Sequence, residues 1–310
     1  MKIEYKSKIY NLPDFLIVGA AKSGTTFLHY TLGKSKSIDF PLVKEPHFFS
    51  FFNSPPNFRS PEKLPTTVSE ISEYARLFKG KGILLGDASP SALYCHETAI
   101  NNIFELYGEA ARKLKIILIL RNPVDRAWSQ YWHFRKNFNE SDDFINVIKK
   151  ETISSRLNDG WNIFYDYIGF GMYSEQVLAY YKNFDNVKVF LFEDLKNRPE
   201  KLINDICEYL EIDRLNVDNK RMYNPSGLPK NNTYGFLWKI NTKFKTLKPL
   251  KKIIPYKWRK GISNRVLERA LDKQKMPEDI RIKLIEVYSN EIDKLYEIIK
   301  RDEIKKWKLS

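Results

Sequence analysis

Residues 14–32, DFLIVGAAKSGTTFLHYTL, constrain the fold more than any other stretch of this chain. Four apolar residues, Phe15 to Val18, run into a segment bearing Gly19 and Gly24, with Lys22, Ser23, Thr25 and Thr26 around the second glycine, and helical spacing follows. That order reads as strand, tight loop, helix. The amides of such a loop converge at a helix N-terminus, where unpaired donors and the positive end of the helix dipole favour a phosphate or a similar anion.

The pattern beyond this stretch keeps alternating. Phe40 to Pro65 reads as a loop that delivers side chains, Ser69 to Lys79 as a helix, Gly82 to Gly86 as a short strand and Glu97 to Tyr107 as a helix. Lys115 to Leu120 is the most apolar run and reads as a strand buried on both faces, as at the centre of a parallel sheet. Helices are expected at Val124 to Asn137, Asp142 to Asn158, Tyr173 to Asn183 and Pro199 to Leu210, with a strand at Val187 to Phe192 and a long amphipathic helix at Pro277 to Lys300. Alternation of this kind predicts a P-loop-like, three-layer α/β fold: a central, mostly parallel sheet flanked by helices, with ligands at the carboxyl ends of its strands. The chain has no internal repeat and no low-complexity linker, so 1–310 is expected to be one domain.

Charge adds where, and not merely how much. Of the net +14, 13 basic residues lie between Asn219 and Leu267, a stretch without Asp or Glu, so the remainder is close to neutral. Such a local basic face suits an anionic cofactor, a polyanionic substrate or an anionic surface. No run is long and apolar enough to span a bilayer, and the charged first residues lack a signal-peptide core. Two distant cysteines, Cys95 and Cys207, match no metal spacing and point to a reducing compartment. A cytoplasmic protein is expected.

The first loop departs from the P-loop NTPase pattern, which places Lys between the second Gly and the Ser/Thr; here Thr25 follows Gly24 directly and the lysine comes earlier, at Lys22. Lys22-Ser23-Gly24-Thr25-Thr26 closely resembles the 5′-phosphosulfate loop of sulfotransferases that use 3′-phosphoadenosine 5′-phosphosulfate (PAPS). The resemblance implies that Ala21, Lys22, Ser23, Gly24, Thr25 and Thr26 bind this cofactor, with Lys22 at the oxygen between phosphate and sulfate. A second segment, Arg121-Asn122-Pro123-Val124-Asp125-Arg126-Ala127-Trp128-Ser129-Gln130-Tyr131, resembles the family's 3′-phosphate site, which assigns Arg121 and Ser129 to that group. Arg is a forked, permanently charged donor suited to phosphate. Tyr223 to Lys230 resembles a late loop of bacterial members that closes over the nucleotide with a basic residue, here Lys230.

Lys44-Glu45-Pro46-His47-Phe48-Phe49 resembles the KEPHFF motif of the heparan-sulfate and carbohydrate branch. There the glutamate is the base that takes the acceptor's proton, so Lys22, Glu45 and His47 are the implied catalytic residues, with the base role open between Glu45 and His47. Gly86-Asp87-Ala88-Ser89-Pro90 resembles the GExSP segment, placing Lys44, Asp87 and Ser89 on the acceptor side. Ala88 stands where several of those enzymes carry a lysine and Ser50 where they carry an acid, so this chain departs from the pattern at the acceptor. His29, His96 and His133 have no accompanying motif and are expected to be structural or exposed. The implied reaction is sulfuryl transfer from PAPS, leaving 3′-phosphoadenosine 5′-phosphate (PAP), to a hydroxyl or amine of a small molecule or glycan, without a metal. Two other readings compete. A variant P-loop nucleotide kinase or NTPase needs a Mg²⁺ carboxylate, for which Asp87 is the candidate. A binding module for membrane or nucleic acid would use 219–267, where Phe236, Trp238, Phe244, Tyr256 and Trp258 interleave with lysines. On the sulfotransferase reading that segment serves the enzyme, by neutralising the nucleotide or by holding the chain near a lipid-linked or polymeric acceptor through peripheral contact with an anionic membrane, and no nucleic-acid partner is expected.

Overall fold

The computed structural model describes residues 1–59, 66–80, 82–137, 139–217 and 275–309, together with the backbone of two short strands at 228–229 and 271–272. A hairpin, β1 (Lys2–Tyr5) and β2 (Lys8–Asn11), precedes the sheet and was not anticipated from its charged sequence. Only Ile3 of it is fully buried, which is why its apolar signal is weak. Next come β3 (Phe15–Gly19), α1 (Thr25–Leu32), β4 (Ile38–Asp39), α2 (Phe48–Phe51), α3 (Ile71–Ala75), β5 (Leu84–Asp87), α4 (Ser91–Tyr94) and α5 (His96–Tyr107). They are followed by β6 (Lys115–Leu120), α6 (Pro123–Lys136), α7 (Phe144–Val147), α8 (Lys150–Asn158), α9 (Tyr173–Asn183), β7 (Asn186–Leu191), α10 (Phe192–Asn197) and α11 (Pro199–Leu210). After the short strands β8 (Leu228–Pro229) and β9 (Leu271–Asp272), α12 (Glu278–Ile299) and α13 (Asp302–Lys305) close the chain.

Five strands form the central sheet in the order β4-β5-β3-β6-β7, every pair parallel. Parallel neighbours need crossovers, and the helices that supply them cover both faces. Alternate side chains of the two central strands show this directly. Leu16 and Val18 of β3 with Ile116, Leu118 and Leu120 of β6 enter a core shared with α4, α5, α9 and α12, whereas Phe15, Ile17, Ile117 and Ile119 enter a second core shared with α1 and α11. The three-layer α/β architecture expected from the sequence is the one observed. Chain order reverses between β3 and β6, and in open α/β sheets ligands bind at such a switch point, outside the strands' carboxyl ends. The loops after β3 and β6 meet there.

Several elements differ from the sequence-based expectation, among them the loop expected across Phe40–Pro65, which contains the one-turn helix α2 with Phe48, Phe49 and Ser50 buried. The helix expected across Ser69–Lys79 is confined to Ile71–Ala75, whose Ile71 and Tyr74 are buried, while Leu77 and Phe78 reach the same core from beyond its end. The expected strand at Gly82–Gly86 is shifted to Leu84–Asp87: Ile83 and Leu84 both donate to the Ser37 carbonyl, so pairing begins only there. The helix expected across Asp142–Asn158 splits into α7 and α8 at Lys149, whose backbone is extended (ψ 137°). Each half anchors separately, Phe144 and Val147 in the first and Ile153 and Arg156 in the second.

Candidate active site

The loop after β3 is shaped for an anion by backbone geometry. Lys22 (φ 66°) and Gly24 (φ 102°) both occupy the left-handed region, and a Cβ on Gly24 would sit 2.5 Å from the Leu195 side chain, so glycine is required there twice over. Gly24 caps α1 without any side-chain hydrogen bond. The amides of Phe27 and Leu28 return to the Gly24 carbonyl, while those of Gly24, Thr25 and Thr26 have no partner among the described residues. Ser23 is fully buried, makes no hydrogen bond within the loop, and has the Tyr173 side chain beside it. Gly24 and Thr26 are half-buried and Thr25 is buried, so these free donors converge at the helix N-terminus in a setting that suits an anionic acceptor.

Positive charge collects around it. Burial pulls the Lys22 ammonium down to about 8, assisted by the nearby charge of Lys136 and opposed by Glu45, with Arg121 and Lys44 lowering it further. Arg121, directly after β6, donates from Nη1 to the Lys22 carbonyl at 3.1 Å and lies over the Phe192 ring at 4.7 Å. Tyr173 donates to the Arg121 carbonyl at 3.1 Å. Helix α6 then starts well: the Asn122 side chain accepts from the Val124 amide, and Pro123 fills a first-turn position that needs no N–H. Ser129 is half-buried on α6. His133 and Lys136 follow it at spacings of four and seven, on the same face of the helix. His133 is held well below its ordinary pKa, first by the charge of Lys22 and then by burial and Lys136.

The third component is a strained turn around Pro46. Glu45 (φ 56°) and His47 (φ 54°) are both left-handed, a conformation that costs on the order of 1–3 kcal/mol for residues with a side chain. Tertiary hydrogen bonds hold it. Thr66 donates to the Glu45 carbonyl at 3.0 Å, Val68 to the Pro46 carbonyl at 2.9 Å, and the His47 amide to Ser89 Oγ at 3.0 Å. The Glu45 carboxylate is paired with Lys44. His47 is 2% exposed; its Nδ1 lies 2.8 Å from Ser91 Oγ, which lies 2.7 Å from Ser50 Oγ. Burial lowers His47 to about 4 against the opposing pull of Glu45, so the imidazole is neutral at pH 7. At the end of β5, Asp87 is buried and accepts from Tyr74 at 2.8 Å. Burial raises its carboxyl to about 6 against the hydrogen bonds of Ser89 and Tyr74, and the Glu45 charge adds to the rise.

Lys22, Lys44, Glu45, His47, Asp87, Ser89 and Arg121 thus share one electrostatic neighbourhood at the carboxyl end of the sheet. Lys230 and nearly all of 219–267 lie outside the described residues. Three supports were not visible in the sequence: Tyr74 beneath Asp87, Phe192 beneath Arg121, and Ser91 beside His47. The α6 spacing of Ser129, His133 and Lys136 was a usable signal that an isolated histidine count does not register. Among the described residues no cluster of three or more His, Cys, Asp or Glu side chains is arranged to hold a metal.

The Sulfotransferase domain family matches residues 12–273, most of the chain. The protein belongs to the sulfotransferase family. A solved sulfotransferase from Alicyclobacillus acidocaldarius superposes with a TM-score of 0.69 at 26% identity, covering 96% of this chain and 99% of that one. A membrane-associated sulfotransferase of Dictyostelium discoideum is 33% identical over 43% of this chain and 25% of its own length. Human carbohydrate sulfotransferase 15 is 21% identical over 75% of this chain and 50% of its own, and the human bifunctional heparan sulfate N-deacetylase/N-sulfotransferase 2 is 32% identical over 40% and 13%. The chain therefore spans at most half the length of these curated relatives. No helix among the described residues is long and apolar enough to cross a membrane.

Proposed function

We propose that this sulfotransferase moves a sulfuryl group from PAPS to a hydroxyl or amine of a carbohydrate acceptor, with Glu45 as base and Lys22 beside the leaving phosphate. The observation that carries the reading is the coincidence of unpartnered loop amides with a displaced lysine whose surroundings hold an excess of positive charge. The residues fit a polyanionic nucleotide: amides of Gly24, Thr25 and Thr26 with Ser23 for the 5′-phosphate, Arg121 and Ser129 for the 3′-phosphate, and Lys230 from outside the described residues. PAPS supplies an activated sulfuryl group on a phosphate leaving group.

The protein's part is positioning and charge. Glu45 takes the proton that the acceptor sheds on attack. Lys22 holds positive charge where negative charge collects on departure, and the surrounding cations that depress its pKa are offset once an anion binds. The acceptor meets Lys44, Asp87 and Ser89. The carbohydrate assignment rests on relatives named for such acceptors. Nucleotide choice tests the donor: PAP raises the melting temperature in EDTA whereas ATP with Mg²⁺ leaves it unchanged, and the reverse outcome returns the chain to the kinase reading. No step proposed here uses a metal.

A further inference from the structure

The base role has two candidates in one turn, Glu45 and His47, and the residues behind His47 discriminate between them. His47 Nδ1, Ser91 Oγ and Ser50 Oγ form a buried chain with steps of 2.8 and 2.7 Å, in which Ser91 Oγ is the one hydrogen-bond partner of the Ser50 hydroxyl among the described residues. Each hydroxyl carries one proton, so the chain runs in one direction or the other. If Nδ1–H donates to Ser91, the protons run outward and the buried Ser50 hydroxyl is left without an acceptor among the described residues. If the chain runs inward, Ser50 donates to Ser91 and Ser91 to Nδ1, ending on an imidazole lone pair. That direction gives every donor an acceptor.

We propose that Ser91, backed by Ser50, holds His47 as the neutral Nε2–H tautomer, so that its one lone pair is occupied and Glu45 alone takes the acceptor's proton. Ser91 is then a positioning residue, acting through His47. It fixes the ring, while the His47 amide on Ser89 and the Pro46 turn fix Glu45 two residues away. The neighbouring charges, Glu45 and Lys44, oppose each other in their effect on His47. Neutrality at pH 7 follows from burial. Ser50, which stands where the resembling enzymes carry an acid, gives the ring a hydroxyl relay in place of a charge.

The kinetic consequence rests on the sulfotransferase reading; the tautomer does not. ¹⁵N-correlated spectra of the histidine side chains, with the His47 signals assigned by their loss in His47→Gln, read the tautomer without any substrate. The expected result is a protonated Nε2 and an unprotonated Nδ1 at pH 7. A protonated Nδ1 overturns the proposal. In Ser91→Ala, and more mildly in Ser50→Ala, the two tautomers become mixed; an unchanged spectrum in both variants also overturns it. Should Ser91→Ala fail to fold, the wild-type spectrum and Ser50→Ala decide. In transfer assays with labelled PAPS, His47→Gln retains at least a hundredfold more activity than Glu45→Gln, and the opposite ranking passes the base role to His47. If no variant, nor the wild type, transfers sulfuryl groups, the donor reading falls while the tautomer result stands.

Discussion

Lys22 makes a quantitative prediction, because its ammonium is held near pH 8 by burial and by Lys136. At pH 8 roughly half of the unliganded protein lacks this proton, and at pH 7 about a tenth. An anion bound at the loop adds the counter-charge that the site lacks and draws the pKa back up. PAP binding therefore takes up ~0.5 proton at pH 8 and ~0.1 at pH 7, and affinity falls as pH rises from 7 to 9.5. The same shift affects stability with a definite sign. The folded pKa lies below the unfolded value of 10.5, so between about 8 and 10.5 the unfolded chain binds more protons and stability from this group rises with pH. The full shift corresponds to at most ~3 kcal/mol, and partial exposure of Lys22 reduces it. Calorimetric titration with PAP in buffers of different ionisation enthalpy reads the proton count. Zero uptake at pH 8, or equal uptake in Lys22→Met, refutes the placement of this lysine at the bound anion.

Other consequences are equally concrete. Glu45→Gln keeps PAP affinity within a factor of about two while kcat falls on the order of a hundredfold or more; a kcat near wild type removes the base. Arg121→Ala weakens PAP by ~1.5–3 kcal/mol, the usual worth of a charged hydrogen bond, but leaves 5′-AMP, which lacks the 3′-phosphate, nearly unaffected in competition binding. Gly24→Ala forces a side chain into φ 102° and against Leu195, so melting temperature and PAP affinity fall together. The basic segment 219–267, which lies outside the described residues, is expected to bring the protein down with anionic liposomes at low salt and release it at high salt; no sedimentation at low salt removes the membrane role.

Much of the fold could be read from local pattern, and the reason is visible in β3 and β6. Both are buried on two faces, so their apolar runs are uninterrupted and end abruptly at Gly19 and Arg121, the two points where the site begins. Loop geometry was equally legible, since Gly24 must adopt a conformation that few residues tolerate. The long-range partners were not. Ser91 meets His47 across 44 residues and Tyr74 meets Asp87 across a bend, and nothing in the composition of either segment announces the contact. The hairpin at Lys2–Asn11 leaves a weak trace for a related reason: its strands are four residues each and Ile3 is their one buried side chain, so the alternation of Lys2 to Tyr5 is too short to stand out.

The central claim concerns the donor, and transfer of ³⁵S from labelled PAPS tests it most directly. With EDTA present and a panel of amino- and hydroxyl-bearing oligosaccharides, the account predicts labelled product from the wild type and none from Lys22→Ala. Absence of labelled product across the panel, together with phosphate release from ATP in Mg²⁺, would contradict it.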